Sequence, residues 1–295
     1  MRWLAAVAAA GATVLVALNW DDVRDACSSV PPWAFVSAVA LHTATLAVRS
    51  EAWRVVLSAI AGAPPPRVAL HGANAGAFLV GVAQSHAALP ARVALLARLQ
   101  PGGVRPVCVA LADVPIVAIE LAWVCVLVAP MGVALHAPWV ALTALALGVA
   151  VLVAARLLHA RFAHRPVVAG LAVLSDARLR VALVALLGLV TALTVARIWM
   201  LLSVTGLPAS YPSVALVLVS VAAFGLLPLG PSASPAGTVA TLGASGMAAA
   251  LVLGLAVSAT SICAVVVYAA TVWSVILVAR ATPAEARATP AEAAL

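Results

Sequence analysis

The chain has 295 residues, of which 65% are hydrophobic and only 8% charged. A soluble domain is about a quarter charged, so this composition excludes an ordinary water-facing surface. The net charge of +7 comes from sixteen Arg and no Lys. These arginines lie between apolar runs, which points away from nucleic acid and toward membrane topology and anionic lipid.

Taken in chain order, the first apolar run is Trp3–Leu18. It has the look of a signal peptide but no convincing small-residue cleavage site before Asp21, so a retained first helix is expected. Further strong spans are predicted over Trp33–Ala61, Val107–Val128, Pro138–Leu158, Val181–Val204 and Leu251–Val278. Runs near 20 residues are long enough to cross the hydrocarbon core. Two other stretches are apolar but broken. Val68–Leu99 contains Asn74, Gln84, Ser85, His86, Pro90 and two Arg, and Tyr211–Gly246 contains Pro212, Pro228, Pro231 and Pro235 among Gly and Ser. The tail 281–295 repeats ATPAEA and is expected to be disordered. Cys27, Cys108, Cys125 and Cys263 show no CxxC spacing and are read as small packed hydrophobes. Trp3, Trp20, Trp33 and Trp139 lie near span ends, as in an interfacial belt.

Arginine placement selects a topology. Eight crossings would put Arg156–Arg180, with Arg156, Arg161, Arg165, Arg178 and Arg180 against Asp176, outside the cell. Letting both broken stretches enter and return on one side moves that segment inside. Arg49, Arg54, Arg67, Arg92, Arg98 and Arg105 join it there, while Asp21, Asp22 and Asp25 fall outside. The expected fold is therefore an all-α integral membrane protein, a polytopic helix bundle. It would have about six full crossings plus two re-entrant or broken hairpins, with eight crossings as the alternative. Both termini would be cytoplasmic, in a bacterial-type plasma membrane. The order of elements repeats, so residues 1–280 form one transmembrane domain of two inverted repeats, about 1–130 and 131–280. Arg54 before VVLSAIAGAP and Arg197 before IWMLLSVTGLP are matching points, as are Leu89-Pro90 and Leu227-Pro228. Inverted repeats with interrupted helices are frequent in transporters, where broken backbone lines a polar path.

Three segments, LAVRSEAWRVVLSAIAG, AALPARVALLARL and LLPLGPSASPAGTVATLGASG, resemble the lysylphosphatidylglycerol synthase/flippase transmembrane-region family, a flippase-like membrane domain. The resemblance covers nearly the whole chain through short motifs. It departs where that family carries a Gly-Gly pair followed by an acid, since here Pro235-Ala236-Gly237 precedes Thr238. The resemblance implies the membrane part alone: movement of a lipid or lipid-linked molecule, without its synthesis.

A charged side chain in a bilayer costs about 2.5–3.5 kcal/mol on insertion scales, so each one needs a reason. Asp113 and Glu120 stand two helical turns apart on one face. They are either a proton- or cation-responsive pair beside a cavity or partners of arginines on neighbouring helices. Pro115 between them is a candidate kink. Arg92 is a candidate phosphate fork, or an anchor by snorkelling; Arg98 is read as an anchor. Arg54 is a second candidate phosphate ligand and can instead pair with Glu51. Arg197, matched to Arg54, is a candidate cavity residue. His86 is a candidate proton carrier. Asn74, Gln84 and Ser85 are expected to satisfy broken backbone. Pro90 and Pro228 mark the broken segments, and Gly237 offers bare backbone to a ligand or simply permits a turn. No metal spacing, phosphate-binding Gly loop or nucleophile elbow is found, so no enzyme activity, cofactor or metal is expected.

The expected function is translocation of a phosphate-bearing amphiphile, a phospholipid or polyprenyl-linked lipid, across the plasma membrane. A secondary transporter of a small hydrophobic solute is one alternative. A membrane scaffold for a separately encoded synthase or glycosyltransferase is the other.

Overall fold

The computed structural model describes residues 20–61, 63–100, 105–134, 136, 138–162, 166–225 and 233–281. Among the described residues the secondary structure is helical throughout, with no strand. The helices are α1 (Trp20–Ser29), α2 (Pro32–Ala61), α3 (Arg67–Ala83), α4 (Ala88–Leu99), α5 (Pro106–Leu111), α6 (Asp113–Ala134), α7 (Pro138–Phe162), α8 (Ala177–Val204), α9 (Tyr211–Gly225), α10 (Ala233–Leu242) and α11 (Met247–Ala281). The first predicted span and Pro228 lie outside the described residues.

Proline placement explains many of these boundaries. Pro32, Pro106 and Pro138 open α2, α5 and α7, and Pro212 is the second residue of α9. In the first turn the missing N–H has no intrahelical partner to lose, and the fixed φ already suits a helix. Pro64-Pro65-Pro66 separate α2 from α3.

Both broken stretches are helical hairpins. In the first, α3 and α4 pack together across a short 3-10 turn, Ser85–Ala87. In the second, α9 packs on α10. The turn between α3 and α4 closes on its own backbone: Gln84 N–H reaches Val80 O at 2.9 Å and Ala87 N–H reaches Gln84 O at 3.0 Å. Asn74 therefore does not serve that break. It sits in mid-helix, 0% exposed, with both side-chain polar atoms unpartnered. The reason is position: the break lies ten residues beyond it.

The body is organised around α2 and α8, which pack along each other. The larger core gathers Trp53, Val56 and Leu57 of α2 with Leu70, Leu96, Ile116, Leu183 and Leu187. A second core joins α8, α9 and α11 through Ile198, Leu201, Val217 and Leu253.

The segment Arg156–Arg180, expected as a charged inner loop, contains a buried piece. Pro166–Leu174 forms a 3-10 stretch packed on α2, α5, α6 and α7. Leu171, Val173 and Leu174 are buried in the larger core. Asp176 then caps α8, its Oδ1 accepting from Arg178 N–H at 2.8 Å and Leu179 N–H at 3.0 Å.

The break between α5 and α6 falls at Ala112, three residues before Pro115. Pro115 has no N–H to return to the carbonyl of Leu111, four residues back, so that helical hydrogen bond is missing where the interruption falls. Gly170 lies against that carbonyl: a Cβ built on it would stand 2.4 Å from Leu111 O.

Among the described residues, four helices are long and apolar enough to cross a membrane: Pro106–Met131, Pro138–Phe162, Ala177–Val204 and Met247–Ala279. Their outward faces are apolar as well. On α7, Trp139, Leu142, Val149 and Leu157 are each more than 60% exposed. A helix apolar on its exposed side is matched to lipid. These are the features of an all-α membrane protein.

Candidate functional site

Five of the six residues from Arg49 to Arg54 of α2 send polar or aromatic groups toward four other elements. At 100° per residue, Arg49 to Arg54 sweep more than a full turn. Arg49 pairs with Glu120 of α6 at 3.0 Å. Ser50 meets Tyr268 of α11 at 2.9 Å. Glu51 reaches α3, accepting from Arg67 Nε at 3.0 Å and standing 3.1 Å from His71 Nε2. Trp53 lies under the guanidinium of Arg92 from α4, 4.0 Å from ring centroid to Cζ. Arg54 donates to the carbonyl of Pro65 at 3.2 Å and stands 3.6 Å from Glu51.

Arg92 is the most enclosed cation of the group. It is 6% exposed, donates to Asp113 at 3.1 Å, and keeps its Nε buried without a partner. A guanidinium over an indole face gains about 2 kcal/mol or more when desolvated. One carboxylate, that indole and the Phe78 ring, 5.8 Å from Cζ, therefore hold a cation whose Nε is left unpartnered.

Asp113 and Glu120 share a face of α6, about 10 Å apart along the axis. Each takes its own arginine, from α4 and α2 respectively. Of the two readings of these acids, the structure displays interhelical ion pairing. Around this end of α2, four arginines (49, 54, 67 and 92) meet three carboxylates (51, 113 and 120), leaving positive charge in excess.

Beside this group, a cleft of about 440 Å³ opens between α3 and α11. Glu51, Arg67 and His71 supply its polar side, and Val68, Thr271, Val272 and Val275 supply the other walls.

The remaining sequence candidates lie elsewhere. His86 is exposed in the 3-10 turn, and Pro90 is exposed in the first turn of α4. Gly237 is buried on α10, where a Cβ would stand 3.3 Å from the Ser220 backbone, so its place in the fold is a close helix crossing. Arg197 is 4% exposed on α8 and bonds to α11 instead of the Arg92 group. Its guanidinium donates to Val257 O, and to Thr260 Oγ1 and Ser261 Oγ, both at 2.8 Å.

Arg197 permits a sharp prediction. Among the described residues no carboxylate lies within ion-pair distance of it. Thr260 and Ser261 also donate to carbonyls of their own helix, at 2.6 and 2.7 Å. Arg197→Met would orphan neither hydroxyl and would remove an unpaired buried charge. Replacing buried charge by packed apolar atoms is often neutral or better. The variant is expected to unfold within about 1 kcal/mol of wild type in detergent. A loss above about 3 kcal/mol would mean that Arg197 holds α8 to α11.

Sequence reading passed over His71, Tyr268 and Ser50. A signal was present: Arg67, His71, Asn74 and Phe78 recur at helical spacing and form one stripe on α3. Tyr268 is also one of only two tyrosines, set in a long apolar run. No protein-family model matches this chain, and no curated protein is significantly similar to it.

Proposed function

We propose that this chain is a translocase for a phosphate-bearing amphiphile, with Arg92 as the residue that receives the phosphate. The observation that carries this reading is the state of Arg92: buried, held by one carboxylate and two aromatic rings, with an unpartnered Nε. An arginine fork matches a phosphate in geometry, and charge-assisted bonds of this kind are about twice as strong as neutral ones. A lipid phosphate would displace Asp113 from Arg92, and the acid would recapture the cation when the lipid leaves. Arg54, Arg49 and Glu120 shape the potential around that exchange.

In this reading the chain crosses the membrane six times, with both hairpins re-entrant and both termini cytoplasmic. The element order supports an inverted repeat: α2 and α8, its matching helices, pack along each other, the α3–α4 hairpin packs on α11, and the α9–α10 hairpin packs on α11 and, less extensively, on α6.

The test uses protein in liposomes carrying head-group-labelled phospholipid, with dithionite added outside. The expected result is quenching well beyond half of the label. In Arg92→Met/Asp113→Leu, which keeps an apolar pair in place of the ion pair, quenching is expected to stop near half. Wild type stopping near half across several phospholipids and a polyprenyl phosphate would overturn the proposal.

A further inference from the structure

Four side chains outside the Arg92 pair form an unbroken hydrogen-bonded chain across three helices. Glu51 Oε1 lies 3.1 Å from His71 Nε2, His71 Nδ1 lies 2.8 Å from Tyr268 OH, and Tyr268 OH lies 2.9 Å from Ser50 Oγ. Ser50 Oγ in turn donates to Leu46 O at 2.9 Å. The outer end, Glu51 and His71, lines the cleft between α3 and α11. The inner end is closed: Ser50 is 0% exposed and Tyr268 4%.

Counting hydrogens along this chain gives two arrangements. An ionised Glu51 only accepts, so Nε2 of His71 carries a hydrogen. With His71 neutral, Nδ1 is an acceptor, and Tyr268 must donate to it. The Tyr268 oxygen is then left to accept from Ser50. With His71 protonated, Nδ1 becomes a donor and Tyr268 must turn its hydrogen away. Its other partner among the described residues is Ser50 Oγ, which then donates to Leu46 O. In that second arrangement each link holds one hydrogen and each donor has one acceptor. One proton arriving at the cleft thus reverses the His71–Tyr268 and Tyr268–Ser50 hydrogen bonds, while Nε2 goes on donating to Glu51 and Ser50 turns its hydrogen to Leu46 O.

We propose that His71 is a proton-binding site, and that Tyr268 and Ser50 relay its protonation from the α3–α11 cleft into the contact of α2 with α11. The charged groups facing His71 fit this use. Glu51 of α2 accepts from it, Arg54 stands behind Glu51, Arg67 is one turn away on α3, and α11 presents the Tyr268 hydroxyl to it and Thr271 to the cleft, with no charged group among its described cleft residues. A protonated His71 sets a third cation on the one carboxylate of Glu51. Arg67, whose side chain is 68% exposed, is the partner most readily released to water. This inference assumes no substrate and stands or falls apart from the translocase reading.

The chain contains only two tyrosines, so ¹³Cζ-tyrosine NMR of the protein in nanodiscs reads the relay directly. Tyr211 bonds to the carbonyl of Leu127 and serves as an internal reference, identified by Tyr211→Phe. Between about pH 8 and pH 5, the range in which histidine changes charge, the Tyr268 resonance is expected to shift while Tyr211 stays fixed. In His71→Gln both should stay fixed, since the amide cannot titrate. A Tyr268 resonance that does not move in wild type would overturn the proposal, and so would an equal movement in His71→Gln. If the variant does not fold, the His71 imidazole is followed by ¹⁵N NMR in wild type, and a Tyr268 shift whose midpoint differs from that of His71 overturns the proposal.

Discussion

Asp113→Ala is expected to be more damaging than removal of the whole ion pair it belongs to. It leaves Arg92, whose side chain is 7% exposed, with an indole face but no counter-charge. An arginine cannot shed its proton to escape that position. Breaking a buried pair from one side costs about 3–5 kcal/mol. Asp113 is 32% exposed, which places the expected loss near the lower end, about 3 kcal/mol. Arg92→Met is expected to cost less, because the acid it strands lies on the more exposed side and can hydrate. The double variant Arg92→Met/Asp113→Leu should return to within about 1 kcal/mol of wild type, with no charge left to desolvate. Unfolding of the three variants in mixed micelles checks the order. A double variant as unstable as Asp113→Ala would mean that volume and packing at the two sites matter, not charge.

That double variant also separates stability from function. If the pair exists only to hold α4 to α6, the apolar replacement retains whatever activity the protein has. If Arg92 receives a phosphate, the same replacement folds and does not transport.

Helix identity was legible in the sequence wherever an apolar run ended at proline. The span predicted over 33–61 is α2 over Pro32–Ala61, because Pro31-Pro32 and Pro64-Pro65-Pro66 close it on both sides. The hairpins were legible as interruptions, but their breakpoints were not. Leu89-Pro90 is a poor marker, since Pro90 sits in the first turn of α4 and the chain turns at Ser85–Ala87. Pro115 behaves alike: the interruption is at Ala112. In both cases the proline tolerates a helix start just before it, so the break appears upstream.

The site was legible as a set of residue types and not as a set of partners. Arg92, Asp113, Glu120 and Arg54 stood out because charge is rare in apolar runs. Which arginine meets which acid depends on helix rotation, and one step of 100° sends a side chain to a different neighbour. His86 drew attention for its place in a break, yet it is exposed. His71, mid-helix, is the histidine that packing brings to Glu51 and Tyr268. Its recognition needed α11, nearly two hundred residues further along the chain.

The second large effect is expected from a single methyl group at Gly170. The Leu111 carbonyl released by Pro115 points into the 3-10 stretch Pro166–Leu174. A Cβ on Gly170 would lie 2.4 Å from that oxygen, 3.1 Å from its carbon and 3.4 Å from Pro115 Cδ. Two of these atoms are backbone, so no rotamer change relieves the clash; either the 3-10 stretch or α5 must move. Leu171, Val173 and Leu174 would be drawn out of the larger core with it. Overpacking of this kind costs about 1–3 kcal/mol, and Gly170→Ala is expected near 2 kcal/mol, with Gly170→Val beyond 3 kcal/mol. Gly243→Ala is the control: there a Cβ meets only Met247 and Val239 side chains, at 3.5 Å or more, and the change should stay within about 0.5 kcal/mol. If Gly170→Ala and Gly243→Ala unfold alike, the 3-10 stretch does not pack on the freed carbonyl. The compensating variant closes the argument. Pro115→Ala restores an N–H opposite Leu111 O and can draw that carbonyl back into its helix. Combined with Gly170→Ala, it is expected to recover at least half of the loss, a coupling that unrelated defects would not show.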